Sequence, residues 1–209
     1  MARHRVNILP WRSTAPRVFR TIPAGLAAIV TLSVSMSACS RALVAPSDPS
    51  ADLAKAQQYL ASGSYHLSEA YLDPYLEQDL DTETASKVHF TLGLAVFYSV
   101  RDDLERQSQG IGRAMGFLSE RQVDDLLEAA AHFSAAVRHN PLGNEAPEAL
   151  YLLGVIHDIG YLQRFEEAMI FYRRCLDEYP DTEGARRAEE RFRILEEIYG
   201  GIKGTSHGR

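Results

Sequence analysis

AAAHFSAAVRHNP, residues 129–141, and AMIFYRRCLDEYP, residues 168–180, decide how this chain folds, because the same residue types recur in both at the same spacing. Ala129, Phe133, Ala136 and Pro141 in the first answer to Ala168, Tyr172, Cys175 and Pro180 in the second. A small residue, an aromatic one turn later and a further small residue three positions on share one helical face. The proline then ends the helix, since it has no N–H to donate. Upstream of each segment stands a second shared element, FTLGLAVF with Leu92 and Gly93, and LYLLGVIH with Leu153 and Gly154. Gly93 and Gly154 on one side, and Ala129 and Ala168 on the other, let paired helices approach closely. The rings of Phe133 and Tyr172 are expected to fill the space toward the next pair.

These elements together resemble the tetratricopeptide repeat, a helical hairpin with a period of about 34 residues. The resemblance implies an all-α fold, a short α-solenoid of about three hairpins plus a C-terminal capping helix. From Ala51 onward apolar residues recur three and four apart, and no alternating run reaches strand length, which independently predicts helices throughout. A third copy lies in front. Ala56, Tyr59, Gly63 and Tyr65 match the first helix and turn, and Ser68, Leu72 and Tyr75 the second helix, which Pro74 should kink or shorten; Leu80 replaces the terminal proline.

Two departures stand out. GYLQRFEEA is slightly longer than the usual turn, and Gly93 lies 36 residues before Ala129 where the repeat has about 12. The excess, at about 101–119, is either a first helix running long through DDLERQ and returning by a loop, or a partner-specific flap carrying Ile111, Met115, Phe117 and Leu118. GIGRAMG is no phosphate-binding loop, because no strand precedes it and no Gly-Lys-Ser/Thr follows. Ser119 and Gln122 form a capping box for the next helix. Asp181 or Thr182 caps a final helix to roughly Tyr199, with Ala185, Ala188, Phe192, Leu195 and Ile198 as its apolar stripe and the arginines and glutamates of RRAEERFR paired along its solvated face.

The front of the chain has a different character. Five arginines and no acid occur in residues 1–38, and TIPAGLAAIVTLSVSMSA, residues 21–38, is apolar and rich in small residues. That order of basic then apolar segment reads as a signal peptide rather than a membrane span, which needs about 20 strongly apolar residues. Ser-Met-Ser-Ala-Cys at its end resembles the lipobox of bacterial lipoproteins, with Met36 where a branched aliphatic is usual. The resemblance implies that Cys39 becomes the acylated first residue of the mature protein; an ordinary signal peptide cut before an incidental cysteine is the alternative. Ser40 follows, not aspartate, so the resemblance implies the periplasmic face of the outer membrane, with a soluble periplasmic protein as the alternative. The expected organisation is thus 1–38 signal peptide, 39–50 tether, 51–199 helical domain and 200–209 disordered tail. With Cys39 acylated, Cys175 has no disulfide partner and reads as a small buried residue.

Charge narrows the function. The chain carries −6, and without residues 1–38 it holds 17 basic against 28 acidic residues, or −11, a surface that phosphate backbones repel. Nucleic acid is therefore not an expected partner. His132 and His139, seven apart on one helix, are too far apart to ligate one zinc ion, and HExxH and CxxC are missing. His157 reads as a packed residue. With no catalytic constellation, metal site or cofactor motif, the expectation is a non-enzymatic chain. The repeat resemblance implies a partner-binding groove lined by Lys87, Phe90, Leu94, Phe97 and Tyr98 in one hairpin, and by Glu148, Tyr151, Val155, Asp158 and Ile159 in the next. Poor in cations, it should take an apolar segment of another protein rather than a free carboxylate. LDEYPDTEGARRAE also resembles the last-repeat region of tetratricopeptide proteins of the outer-membrane envelope. The resemblance implies a scaffold in envelope or outer-membrane biogenesis, the alternative being an accessory subunit of a polysaccharide- or peptidoglycan-processing complex.

Overall fold

The computed structural model describes residues 48–110, 118–158 and 160–205. Cys39, the signal peptide, residues 111–117 of the insertion, Ile159 and residues 206–209 lie outside the described residues. Among the described residues seven α-helices follow one another: α1 (Pro49–Ala61), α2 (Tyr65–Leu72), α3 (Thr82–Gly110), α4 (Glu120–His139), α5 (Glu145–His157), α6 (Phe165–Glu178) and α7 (Glu183–Thr205). They pack in sequential pairs, and no strand occurs among the described residues. Odd-numbered helices also touch odd-numbered ones, α1 on α3, α3 on α5 and α5 on α7.

Local chemistry sets the boundaries. Asp48 accepts the Ser50 N–H at 3.0 Å and Pro49 occupies the first turn, so α1 starts two residues inside the expected tether. Gly63, at φ 75°, makes the left-handed turn that ends the helix. Pro74 stops α2 at Leu72 and leaves a single 3₁₀ turn, Asp73–Tyr75. At α4 the capping box is present in both directions: Gln122 N–H donates to Ser119 Oγ at 3.2 Å, and Ser119 N–H to Gln122 Oε1 at 2.9 Å. Pro141 and Pro180 follow the ends of α4 and α6. Thr182, not Asp181, caps α7, its Oγ1 accepting the Ala185 N–H at 3.2 Å.

Of the two readings of the insertion, the long first helix holds over residues 101–110, which continue α3; its helical pattern meets no breaker before Gly110. Two other expectations need correction. At the other end α7 runs to Thr205, through the first part of the segment read as a disordered tail. Each glycine there costs a helix about 1 kcal/mol relative to alanine, which weakens a helix without ending it. Ile198 is 43% exposed and does not join the stripe of Ala185, Ala188, Phe192 and Leu195, all buried.

Two cores result. The larger joins α3 to α7 around Leu126, Phe133, Leu150, Leu153, Ile156 and Tyr172. The smaller is made by Leu53, Ala56, Leu72, Tyr75, Val88 and Leu92, where α1 and α2 rest on the first half of α3. In the larger core the two glycines touch the rings of their own hairpins. A Cβ on Gly93 would stand 2.8 Å from Phe133, and one on Gly154 would stand 2.2 Å from Tyr172. The rings thus fill the space inside each hairpin, where the missing Cβ makes room, rather than the space toward the next pair. Gly184 likewise lets α7 reach the backbone of α5, a Cβ there lying 2.8 Å from the Pro147 carbonyl.

Candidate functional site

Lys87, Phe90, Leu94 and Tyr98 are spaced three and four apart on α3, hence on one face, and each is partly exposed. Phe90 leans on the Phe133 ring, centroids 5.8 Å apart, and Lys87 pairs with Glu83 one turn back at 2.5 Å. Tyr98 carries the Arg101 guanidinium 4.4 Å above its ring and has Tyr65 beside it at 6.3 Å. Tyr65 donates its O–H to Asp102 at 2.7 Å, so the far end of the strip is braced by α2. Phe97 differs from its neighbours. It is buried, against Tyr98 and Tyr161, and belongs to the core rather than to a groove.

The α5 half of the expected groove is tied to α7 at three of its positions. Glu148 accepts an N–H of Arg187 at 2.6 Å, and the same guanidinium lies 4.0 Å over the Tyr151 ring. One turn further along α7, Arg191 donates through Nε and Nη2 to Asp158 at 2.8 and 2.6 Å. Asp158, its side chain 3% exposed, also accepts the Tyr172 O–H at 2.9 Å. Burial, reinforced by Asp158, raises the Tyr172 phenol well above its ordinary range. Glu148, Tyr151 and Asp158 are therefore structural ties between α5, α6 and α7. Val155, like Glu148 and Tyr151, stays partly exposed, and it packs at the edge of the core. Arg187 and Arg191, four apart, were the available signal. The pairing expected within α7 holds for Arg186 with Glu183, but these two cross to another helix.

Possible chemistry centres on histidine and cysteine. Cys175 is fully buried, its Sγ–H directed at the Pro147 carbonyl at 3.3 Å, and burial pushes the thiol up to about 11. A thiol so placed is a packing residue. His157 is buried and stacks on Phe171 at 5.4 Å. His132 and His139 are joined by His89 from α3, which spacing along one helix could not reveal. His89 Nδ1 lies 3.1 Å from His132 Nδ1, and the His139 ring stacks on His89 at 5.3 Å. The His89 and His132 centroids are 5.3 Å apart, only about 2 Å more than the nitrogens, so the rings meet end to end. That is a hydrogen-bond arrangement, not two lone pairs converging on one ion. Among the described residues no group of three or more His, Cys, Asp or Glu side chains is arranged to hold a metal ion. No helix among them is long and apolar enough to cross a membrane.

Compared with known proteins, the chain matches no family model, no curated protein and no solved structure.

Proposed function

We propose that this chain is a membrane-anchored, non-catalytic interaction module, built from three tetratricopeptide-like hairpins (α1 with α2, α3 with α4, α5 with α6) capped by α7. It holds partner proteins of a bacterial envelope complex. One observation carries the reading. The same glycine-against-ring contact occurs in two successive hairpins, Gly93 with Phe133 and Gly154 with Tyr172, while odd-numbered helices pack on one another in series. Stacking of that kind leaves one helical layer with a continuous face, and here the open part of the face is the strip Lys87, Phe90, Leu94 and Tyr98, with Val155 beside it in the sequence reading of the groove.

An apolar helix or extended segment suits this strip better than a charged terminus, because Lys87 and Arg101 are already engaged by Glu83 and by Tyr98 and Asp102. Cys39 supplies the anchor in this reading. Each buried methylene of an acyl chain contributes about 0.8 kcal/mol, so two or more chains hold firmly. The test is affinity purification of the full chain from crosslinked membranes, wild type against Leu94→Asp. The variant should retain its melting temperature to within a few degrees and lose the wild-type partners; unchanged partners would refute the strip as their seat.

A further inference from the structure

Arg138 from α4 and Arg174 from α6 line one groove. It runs between α4, α5 and α6, has a volume of about 420 Å³, and is floored by Val137, Leu150 and Leu153 with Phe171 as one wall. We propose that this groove is a second docking surface, fitted to an acidic amphipathic helix of a partner protein. Its rims are even-numbered helices, whereas the α3 strip lies on an odd-numbered one, and the inference does not rest on that strip.

Spacing builds the groove. Val137 and Arg138 stand three and four positions after Ser134 on α4, Leu150 and Leu153 are three apart on α5, and Phe171 and Arg174 three apart on α6, so each helix contributes one face. The wall is held in place, because Phe171 stacks on the buried His157 ring of α5 with centroids 5.4 Å apart. At one end Pro141 joins the lining, and Tyr179 donates its O–H to the Pro141 carbonyl at 2.5 Å, which pins the α4–α5 connection to the end of α6. The groove is therefore preformed.

Charge and length choose the occupant. The lining has two guanidiniums and no carboxylate, in a chain with more acid than base. Other clefts among the described residues include acids, Asp79 in one, Glu120 and Asp124 in another, Glu148 and Glu183 in a third. Glu178 holds Arg174 through Nε and Nη2 at 2.9 and 3.3 Å, which fixes and largely neutralises that guanidinium. Among the described residues the exposed Arg138 side chain has no hydrogen-bond or ion-pair partner, so it carries the preference for an anion. The two most exposed large apolar side chains among the described residues both flank the groove: Leu142, next to Pro141, at 94%, and Ile170, one turn before Arg174 on the same face of α6, at 59%. Ile170 precedes Tyr179 by nine residues, about 13 Å of helix. Apolar surface of that reach marks an interaction site. A small anionic molecule filling the groove would leave Leu142 and Ile170 bare. An extended peptide would lay unpaired N–H groups against an apolar floor. A helix satisfies its own backbone, sets apolar residues three and four apart into the groove, and brings carboxylates on its flank to Arg138.

The probe is a lactam-stapled peptide of about 14 residues, long enough to cover that span, with leucines three and four apart flanked by glutamates; its twin has lysine for each glutamate. Fluorescence anisotropy with the full chain in phosphatidylcholine nanodiscs, corrected for empty nanodiscs, should show the acidic peptide binding several-fold to about tenfold more tightly than its twin. Arg138→Glu should remove or invert that preference. Ile170→Asp and, separately, Leu142→Asp should each weaken the acidic peptide by about fivefold or more. All three side chains are exposed, so melting temperatures should stay near wild type. Leu94→Asp should leave the acidic peptide's affinity unchanged, which separates this groove from the α3 strip. Equal binding of the two peptides, no binding, or binding indifferent to Arg138 and Ile170 would overturn the proposal. So would a lipid occupant, seen without peptide as slower α4 and α6 amide exchange in phosphatidylglycerol nanodiscs than in phosphatidylcholine ones, a difference that Arg138→Glu removes.

Discussion

Adding one methyl group at Gly154 probes the packing of the last hairpin directly. A Cβ there would lie 2.2, 2.4 and 2.8 Å from Cε1, Cδ1 and Cζ of Tyr172. Carbon atoms rest at about 3.5 to 4.0 Å, so the ring must retreat by about 1.3 Å. Tyr172 is fully buried, and its O–H is held by Asp158, itself gripped by Arg191. Retreat therefore strains a hydrogen-bonded network as well as a packed ring. Overpacking costs about 1 to 3 kcal/mol or more, while alanine returns about 1 kcal/mol of helix propensity over glycine. For Gly154→Ala the cost lies at the upper end, giving a net loss of about 2 kcal/mol, or about 4 to 8 °C in melting temperature for a domain of this size. Gly93→Ala is the internal control. Its Cβ would meet Phe133 at 2.8 Å, a smaller intrusion on a ring that has no hydroxyl to tether it, and the change should be near neutral. Urea and thermal denaturation followed by circular dichroism measure both. A Gly154→Ala protein as stable as wild type, or a Gly93→Ala protein that is the more damaged, would refute the reasoning.

Asp158→Asn should cost about 2 to 3 kcal/mol, below the range for breaking a fully buried pair because the Arg191 side chain is 36% exposed. A double-mutant cycle with Arg191→Met should return a coupling above 1 kcal/mol, and additivity would dismiss the tie. Cys175, with its thiol pushed up to about 11 and buried, should resist thiol reagents at pH 8 and react only at the rate of unfolding, as timed by mass spectrometry with and without urea. Cys39→Ser should move the protein from the membrane to the soluble fraction; retention would remove lipid anchoring from the account.

Periodicity and punctuation made the helices legible. Pro74, Pro141 and Pro180 mark helix ends because a residue without an N–H acts locally, and Ser119 with Gln122 caps α4 for the same reason. Gly93 and Gly154 were recognisable as close-approach sites because their neighbours, three and four residues away, share a face with them. What periodicity does not carry is which helix covers that face. Glu148, Tyr151 and Asp158 were read as open groove, but α7 lies on them through Arg187 and Arg191. Charged residues four apart look the same whether they pair within their helix or across to another. The His89 contact with His132 is hidden for a related reason, since 43 residues separate the two rings and only the packing of α3 on α4 brings them together. Ile198 fits the apolar stripe of α7 by spacing yet is 43% exposed, because spacing along one helix does not say where a covering helix lies.

The central claim is that the strip on α3 is open to a partner while α7 engages Glu148, Tyr151 and Asp158 on the corresponding face of α5. Replacing Leu94 by a photo-crosslinking amino acid in the full chain, and separately replacing exposed Glu189 on α7, tests it in intact membranes. Irradiation should give an adduct of defined mass from position 94 and none from position 189. Adducts of the same mass from both positions, or none from position 94, would contradict the claim.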